Sequence, residues 1–252
     1  MNDMIKIIKS NEHYHNEEED WFSTYWHFSF AHYQDPHKMN FGPLRVFNDD
    51  VIQPATGFDF HPHRDMEIIT YVSEGKLEHR YNQGNHDVIH PGDEVQRMMM
   101  MTAGSGILHS QYNRSKDKPL RLLQMWIFPS KRELEPSWEQ RQFEKQERAN
   151  KLLPVVMPEN AKEDGPALHM HQDGAIYVSY LTKEGSKVEH ALALERKAYL
   201  FVIDARAQLL NGSTIETRGA AKIEKEGKLS IQAEKPTELI LLDLPEKYAI
   251  NN

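Results

Sequence analysis

Short apolar runs rich in β-branched and aromatic residues recur along this chain, and they constrain its fold more than any other feature. Examples are EIITYV, RLLQMWIF, AIYVSYL, AYLFVI and ELILLDL, and Gly, Pro, Asn or Asp residues bound most of them. The periodicity of amphipathic helices is scarce. The spacing of the runs, with turns such as NGS at residues 211–213 and EKEG at 224–227, favours an antiparallel sandwich or barrel over alternating βαβ units. The sequence therefore predicts an all-β fold.

Composition excludes several classes of site and partner. The chain of 252 residues has a net charge of −8 and no block rich in Lys and Arg, so direct binding to nucleic acid is not expected. No stretch approaches about 18 consecutive apolar residues, and the start MNDMIKIIKS has no apolar signal core, so we expect a cytoplasmic protein without a membrane segment. Cysteine is absent, so any metal must be bound by His, carboxylate or amide side chains.

The chain divides near residue 130. Between Pro129 and Pro154 the composition changes to the highly charged KRELEPSWEQRQFEKQERANKLL, which predicts a connector with a short solvated helix. On either side of it, a strand leads through a polar hairpin to a Gly-centred turn at a similar distance. This weak internal similarity predicts two similar β domains, over residues 1–130 and 131–252.

Histidines are concentrated near the N-terminus, where 11 of the 14 lie within the first 109 residues. The segment HPHRDMEIITYV places His61 and His63 at the head of a strand. Side chains alternate faces along a strand, so both imidazoles point the same way, and Glu67 shares their face if no bulge intervenes. The segment TAGSGILHSQYN adds His109 and, on the same face, Gln111. This donor set could bind Fe(II), Ni(II), Cu(II), Mn(II) or Zn(II); the alternative is a packed, hydrogen-bonded cluster without metal.

Other histidine motifs favour structural roles. HMH at residues 169–171 repeats the spacing of the first pair, but no later His or Glu follows at the place where a second motif would complete a site. EHR at 78–80 and HDVIH at 86–90 lie in the hairpin after the strand, where surface or turn positions are expected.

Methionines and phenylalanines supply candidate packing residues. The four methionines at residues 98–101 alternate faces on a strand, so half are predicted to line a barrel interior and half to pack outside it. Phe41, Phe58 and Phe60 could line the mouth of a metal site, where aromatic walls suit a planar ligand, or could plug the barrel.

The residues quoted above resemble a known family. GFDFHPHRDME resembles the first cupin motif, and Gly106, His109 and Asn113 carry the GxxHxxxN pattern of the second. The ordered strings HPHRDMEIITYV, EGKLEHR, HPGDEVQRM, MTAGSGILHS and LQMWIFP are similar to the pirin family of bicupins, and HQDGAIYVSYL, LNGSTIETRGAAKI and ELILLDLP extend the resemblance. It implies two double-stranded β-helix (cupin) barrels in tandem. The domain over residues 1–130 would bind the metal, and the cupin-like domain over 131–252 would have no metal site.

The resemblance also implies the ligands. The pirin pattern carries over to His61, His63, His109 and position 111, where most pirins have Glu and this chain has Gln. Glutamine offers only an uncharged oxygen, so metal affinity should fall and the reduction potential of iron should rise. In pirins that resemble quercetin dioxygenases, this carboxylate is the expected base for a flavonol hydroxyl, and an amide cannot accept that proton. Glu67 occupies the ligand-glutamate position of the general cupin motif and is our candidate for a replacement base.

The resemblance implies a dioxygenase that uses one divalent metal, foremost Fe(II), and O₂ on a small aromatic substrate such as the flavonol quercetin. The alternative is a non-enzymatic regulatory protein that presents its surface to a protein partner and has a degenerate metal site. A third interpretation is a degenerate bicupin whose metal site has lost its function and has only a structural role. Fold resemblance by itself does not decide among them.

Overall fold

The computed structural model describes residues 4–81, 97–161 and 165–251, and the structural statements below concern these residues. The first strands are β1 (Ile5–Ile8), β2 (Tyr14–Glu18), β3 (Phe22–Trp26), β4 (Leu44–Ile52), β5 (Gly57–His63), β6 (Glu67–Glu74), β7 (Leu77–Tyr81), β8 (Arg97–Thr102), β9 (Ile107–Asn113) and β10 (Leu120–Ile127). They are followed by β11 (Ser137–Gln142), β12 (Leu153–Pro158), β13 (Leu168–Met170), β14 (Ala175–Leu181), β15 (Lys187–Ala191), β16 (Arg196–Asp204), β17 (Arg206–Leu209), β18 (Thr214–Glu216), β19 (Ala220–Glu224), β20 (Lys228–Ala233) and β21 (Thr237–Pro245). In this part of the chain the helical segments are two 3₁₀ turns, Ser10–Glu12 and Gln146–Arg148. Neither could span a membrane.

The strands form two barrels. In the N-terminal half a seven-stranded sheet, β11-β8-β6-β10-β4-β3-β2, packs against a three-stranded sheet, β5-β9-β7. In the C-terminal half a seven-stranded sheet, β1-β19-β16-β21-β14-β12-β13, packs against a four-stranded sheet, β15-β20-β17-β18. The predicted all-β fold with tandem cupin barrels is confirmed.

Each half contributes a strand to the large sheet of the other half. β1 pairs with β19, with Ile5 opposite Ile223. β11 lies beyond residue 130 and pairs with β8, with Trp138 opposite Met101. The division near residue 130 stays a prediction, and these pairings tie the two halves together across it.

The four consecutive methionines of β8 show how the pleat of a strand sorts side chains. Met98 and Met100 belong to the core between the two large sheets, where residues of both halves meet. Met99 and Met101 point the other way, into the N-terminal barrel. The predicted alternation is therefore present, and a single strand contributes to two hydrophobic cores.

The prediction of a solvated helix after residue 130 is wrong. The segment instead contains β11, whose side chains alternate between exposed and half-buried, and then the 3₁₀ turn Gln146–Arg148. Phe143 is buried, and so is Arg148. β11 forms its backbone hydrogen bonds with β8, which lies about 40 residues earlier in the chain. Local composition does not predict such a long-range pairing.

A buried polar trio joins the two halves. Tyr71 on β6 donates its hydroxyl hydrogen to Glu238 Oε1 on β21 at 2.5 Å. Arg148 Nη1 lies 3.0 Å from the same carboxylate oxygen and 3.1 Å from the Tyr71 hydroxyl. Burial and the neighbouring Glu238 raise the pKa of Tyr71 well above its ordinary value, so the hydroxyl remains a donor. The trio thus connects an N-terminal strand, the connector and the last strand.

Candidate metal centre

Three imidazoles converge where the small sheet of the N-terminal barrel opens. β5 pairs with β9, which places His61 directly opposite His109. Their Nε2 atoms are 2.8 Å apart, and the His63 ring centroid lies 4.6 Å from that of His109. One potential ligand nitrogen from each of the three residues lies within 4.8 Å of the others. The structure therefore brings together the three histidines selected from the sequence.

The donor set fits a divalent metal ion. Two nitrogens that each bind one ion at about 2.05 Å, roughly at right angles, would be about 2.9 Å apart, close to the separation of the His61 and His109 Nε2 atoms. His61 Nδ1 lies 2.8 Å from the backbone oxygen of Asp59. Nδ1 is then the donor of this bond, and Nε2 remains available as a ligand.

Burial keeps the imidazoles of His63 and His109 neutral, which is the form that binds metals. Burial and, to a lesser extent, the neighbouring His61 lower the pKa of His63 to about 4. Burial also lowers the pKa of His109 well below its ordinary range, with His79 and His63 next to it adding to the effect. These two ligand candidates are therefore neutral nitrogen donors at neutral pH, and imidazole donors suit iron, nickel, copper and zinc.

His79 contributes a contact that the sequence analysis missed. Its predicted surface position is wrong, because the side chain on β7 is fully buried. Its Nε2 lies 2.5 Å from His109 Nδ1. Burial lowers the pKa of His79 to about 3, so this ring is neutral as well. When His109 Nε2 faces an ion, Nδ1 carries the hydrogen and donates it to His79, which fixes the orientation of the ligand ring.

The signal for this burial was in the sequence. In LEHRY, His79 shares its face with Leu77 and Tyr81, and both of these residues are buried in the barrel. The companion motif HDVIH at residues 86–90 lies outside the described residues.

Replacing His79 with phenylalanine should lower metal affinity by about 10- to 100-fold, the usual effect of losing the partner of a ligand histidine. Phenylalanine fills the buried volume but cannot accept the hydrogen of His109 Nδ1. Competition titration with a zinc chelator measures the change. His79→Gln keeps an acceptor and should recover part of the affinity. Equal affinities in parent and His79→Phe proteins would contradict the positioning role.

Gln111 lies beside the cluster but is engaged elsewhere. It follows His109 on β9 and is buried. Its Oε1 accepts a hydrogen bond of 3.0 Å from Gln124 Nε2, on β10. Its own Nε2 is buried and has no hydrogen-bond partner among the described residues. Gln111 therefore lines the histidine cavity, while its one oxygen is bonded to Gln124.

Glu67 does not share the face of the histidines, and this expectation is wrong. β5 ends at His63, and the chain turns through Asp65, whose φ of 49° is left-handed, before β6 begins at Glu67. Strand parity does not extend across such a turn.

The Glu67 carboxylate joins the two halves of the protein. Its Oε2 accepts hydrogen bonds from Thr102 Oγ1 at 3.2 Å and from the backbone N–H of His171 at 2.9 Å. Burial raises its pKa to about 7. It is absent from the residues that line the histidine cavity and from the group of converging ligand atoms. A base role for Glu67 is therefore not supported.

The two histidines of the HMH motif lie beside carboxylates of the C-terminal half. His171 Nδ1 lies 2.8 Å from Glu159 Oε2, and His169 Nδ1 lies 3.8 Å from Glu139 Oε2. These contacts agree with the structural role inferred for HMH.

A cavity of about 460 Å³ opens onto the three histidines. Its aromatic wall consists of Phe22, Trp26, Phe30, Phe58, Phe60 and Trp126. The Trp126 ring lies edge-on to His63, with 4.8 Å between ring centroids, and edge-on to Phe30 at 5.3 Å. The expectation for Phe41 is wrong, because it packs in the core between the large sheets. The cavity thus has an aromatic wall next to the candidate ligands, which suits a planar aromatic molecule.

Comparisons with known proteins agree with this architecture. Residues 8–127 match the family described as Pirin, and residues 155–244 match the quercetinase C-terminal cupin domain. Quercetin 2,3-dioxygenase of Escherichia coli (strain K12) is 40% identical over 242 residues, which cover 96% of this chain and 99% of that protein. The chain belongs to the pirin family. A pirin-like protein of Caulobacter vibrioides is 40% identical over 88% of this pirin and 92% of its own length.

Solved structures of a bacterial pirin share the fold. The crystal structure of YhhW from Escherichia coli matches this pirin with a TM-score of 0.86 at 37% identity, covering 97% of this chain and 99% of that one. The structure of bacterial pirin YhhW in complex with nickel(II) matches with a TM-score of 0.83 at 36% identity, covering 96% and 99%.

In this pirin, Gln111→Glu should raise metal affinity by about 10- to 100-fold. Opposite unit charges about 4 Å apart attract by roughly 4 kcal/mol at an effective dielectric constant of 20, and the burial of the carboxylate offsets part of this gain. Gln124 Nε2 can donate to a carboxylate as it does to the amide, so the local packing is retained. Any oxygenase rate should also rise, because a carboxylate can accept a proton.

Chelator competition and oxygen uptake test the two parts of this prediction. Gln232→Glu is the matched control, because it adds the same charge at an exposed position on β20 of the C-terminal half. The prediction fails if Gln111→Glu binds metal no better than the parent, which would mean that residue 111 does not face the ion.

Proposed function

We propose that this pirin binds one divalent metal, Fe(II) in its active form, and acts as a dioxygenase on a small planar aromatic such as the flavonol quercetin. His61, His63 and His109 are the proposed protein ligands, with Gln111 as a weak fourth donor. The observation that carries the proposal is the convergence of these imidazoles at the end of an aromatic-walled cavity. The nickel(II) complex of a pirin with 36% identity supports the binding of a divalent metal by this pirin.

The metal, when bound, supplies Lewis-acid and redox chemistry for a substrate and O₂. The residues of the chain bind and orient the substrate. Phe30 and Trp126 are well placed to hold a planar ring and to exclude water from the cavity. Gln111 cannot accept a proton from a substrate hydroxyl, so this pirin needs the substrate as its anion or a proton acceptor other than residue 111.

The curated relatives with a named activity support the substrate class. The relative from Escherichia coli is a quercetin 2,3-dioxygenase, and one from Zymomonas mobilis with 39% identity is a putative one. The alternative of a non-enzymatic regulatory protein is not favoured by these names.

Oxygen uptake tests the proposal. Protein loaded with Fe(II) under argon is mixed with quercetin in air-saturated buffer, and oxygen is followed with an electrode. Uptake above that of Fe(II) and quercetin alone is expected, and it should disappear when a chelator removes the metal. The His171→Ala variant, which removes an imidazole that contacts Glu159 in the C-terminal half, should retain the activity. Uptake no faster than in the protein-free mixture would rule out the flavonol dioxygenase.

A further inference from the structure

A row of polar side chains crosses the large sheet at the inner wall of the histidine cavity. Strand register places Trp26 opposite Asn48, and Asn48 opposite Gln124. Residues directly opposite each other in an antiparallel pair share a face, so these three side chains lie side by side. All three line the cavity, and Gln124 connects the row to Gln111 through their amide hydrogen bond.

The next row contains a buried carboxyl group. Asp50 lies two residues after Asn48 on the same face of β4 and also lines the cavity. Thr24 Oγ1, on the neighbouring strand, donates a 2.5 Å hydrogen bond to Asp50 Oδ1. Burial raises the pKa of Asp50 to about 7, against the lowering effect of this bond, and the charge of Asp49 adds to the rise. A carboxyl group with one hydrogen-bonded oxygen is thus held in an apolar barrel.

Several polar atoms of this wall are buried without a hydrogen-bond partner in the described part of the chain. They are Trp26 Nε1, Asn48 Oδ1, Gln111 Nε2 and Gln124 Oε1. Folding rarely leaves such groups unsatisfied, because their burial without a partner costs free energy. Two of them are donors and two are acceptors, and all belong to residues around one cavity. A ligand that both donates and accepts hydrogen bonds would satisfy them.

We propose that Asn48, Asp50 and Gln124 form a second binding subsite, which takes hydroxyl groups on a ring of the substrate away from its metal-binding oxygens. This proposal rests on the proposed function and narrows its substrate class to planar polyphenols. A phenolic hydroxyl donates to the Asp50 carboxylate or to Asn48 Oδ1, and its oxygen accepts from Trp26 Nε1. The subsite belongs to the large sheet, whereas the histidines belong to the small one, so the two sites contact different parts of one molecule.

Two flavonols distinguish the contribution of the subsite to binding affinity from that of the metal centre. Quercetin carries hydroxyls on both ring systems, whereas 3-hydroxyflavone keeps only the ketone and hydroxyl pair that chelates a metal. Nickel-loaded protein is titrated with each flavonol by calorimetry under argon at a pH of about 8, above the pKa of about 7 of Asp50, so that this group is ionised. The parent should bind quercetin about ten-fold more tightly than 3-hydroxyflavone, the effect of one hydrogen bond to a charged group.

Asp50→Asn should lower quercetin affinity about ten-fold and leave 3-hydroxyflavone affinity unchanged, because it removes the anionic acceptor but keeps the oxygen that Thr24 contacts. Asn48→Leu removes the neighbouring acceptor and should act in the same direction. Asp117→Asn is the matched control, since it removes a carboxylate from an exposed turn of the same half. It should leave both affinities at the parent value.

The variants are expected to fold. The pKa of Asp50 in the folded protein is about 7, above the value of about 4 in an unfolded chain, so ionisation of this group opposes folding as pH rises through that interval. Asp50→Asn removes this penalty, and Asn48→Leu removes a buried acceptor that has no partner. Thermal unfolding at pH 7.5 should therefore show midpoints no lower than that of the parent.

The outcomes distinguish the two proposals. The subsite is overturned, and the dioxygenase proposal stands, if both variants bind quercetin as well as the parent does. The same conclusion follows if both variants lower the affinities for the two flavonols equally. Both proposals are overturned if the nickel-loaded parent binds neither flavonol. Selective loss of quercetin affinity in both variants supports the subsite.

Discussion

A His109→Ala variant is expected to bind divalent metal about 100- to 1,000-fold more weakly than the parent. Structural zinc sites with four ligands contribute about 10–16 kcal/mol, or roughly 2.5–4 kcal/mol for each ligand. His109 is central to the cluster, because its Nε2 is 2.8 Å from that of His61 and its ring is 4.6 Å from that of His63. Alanine removes this nitrogen and also deprives His79 of its partner.

Calorimetric titration with nickel(II) and elemental analysis of purified protein measure this loss independently of activity. His171→Ala is the matched control, since it removes an imidazole that pairs with Glu159 in the C-terminal half. This control should bind one equivalent with the parent affinity. Circular dichroism should show the same β content in all three proteins. Retention of parent affinity by His109→Ala would place the metal elsewhere and would remove the basis of the proposed oxygenase.

The histidine triad was predictable because its geometry depends on short-range rules. His61 and His63 share a face through the period of one strand. The only long-range requirement is that β5 pairs with β9, which places His109 opposite His61. The motif resemblance supplied that pairing, whereas periodicity alone did not. The alternating methionines of β8 follow the same local rule.

Residues beyond a turn were not predictable in this way. Strand parity predicts that Glu67 shares the face of His63, but the left-handed conformation of Asp65 changes the direction of the chain. The neighbours of Glu67 include the backbone of His171, which lies 104 residues later. The burial of His79 likewise depends on the pairing of β7 with β9. Such contacts follow from tertiary register, and local pattern contains little information about it.

The polar wall of the cavity shows the same limit on prediction from sequence. Asn48 and Asp50 lie in LRVFNDDVI, where polar residues in the middle of a strand suggest an exposed edge. The structure instead buries them inside the barrel, between β3 and β10. Sequence patterns predict that such residues face solvent. These predictions are expected to fail where polar side chains line the interior of a binding cavity.

Replacing Arg148 with leucine should destabilise the protein by about 3–5 kcal/mol, as expected when one member of a buried ion pair is removed. The side chain has no exposed surface, and its Nη1 contacts both Glu238 and the Tyr71 hydroxyl. The substitution leaves the Glu238 carboxylate buried without its arginine. Because Tyr71 and Glu238 belong to opposite halves, the loss should weaken the contact between the two barrels as well as each fold.

Urea unfolding followed by tryptophan fluorescence measures the change, and a double variant, Arg148→Leu with Glu238→Leu, separates its causes. If the single variant is unstable because the Glu238 carboxylate has lost its arginine, removing this carboxylate should restore most of the lost free energy of unfolding. If the arginine acts mainly by packing its aliphatic stem, the double variant should be no more stable than the single one. A single variant within about 1 kcal/mol of the parent would show that the trio does not hold the halves together. Partial unfolding in two transitions, with the histidine cavity retaining its metal in the first, would locate the loss at the junction between the barrels.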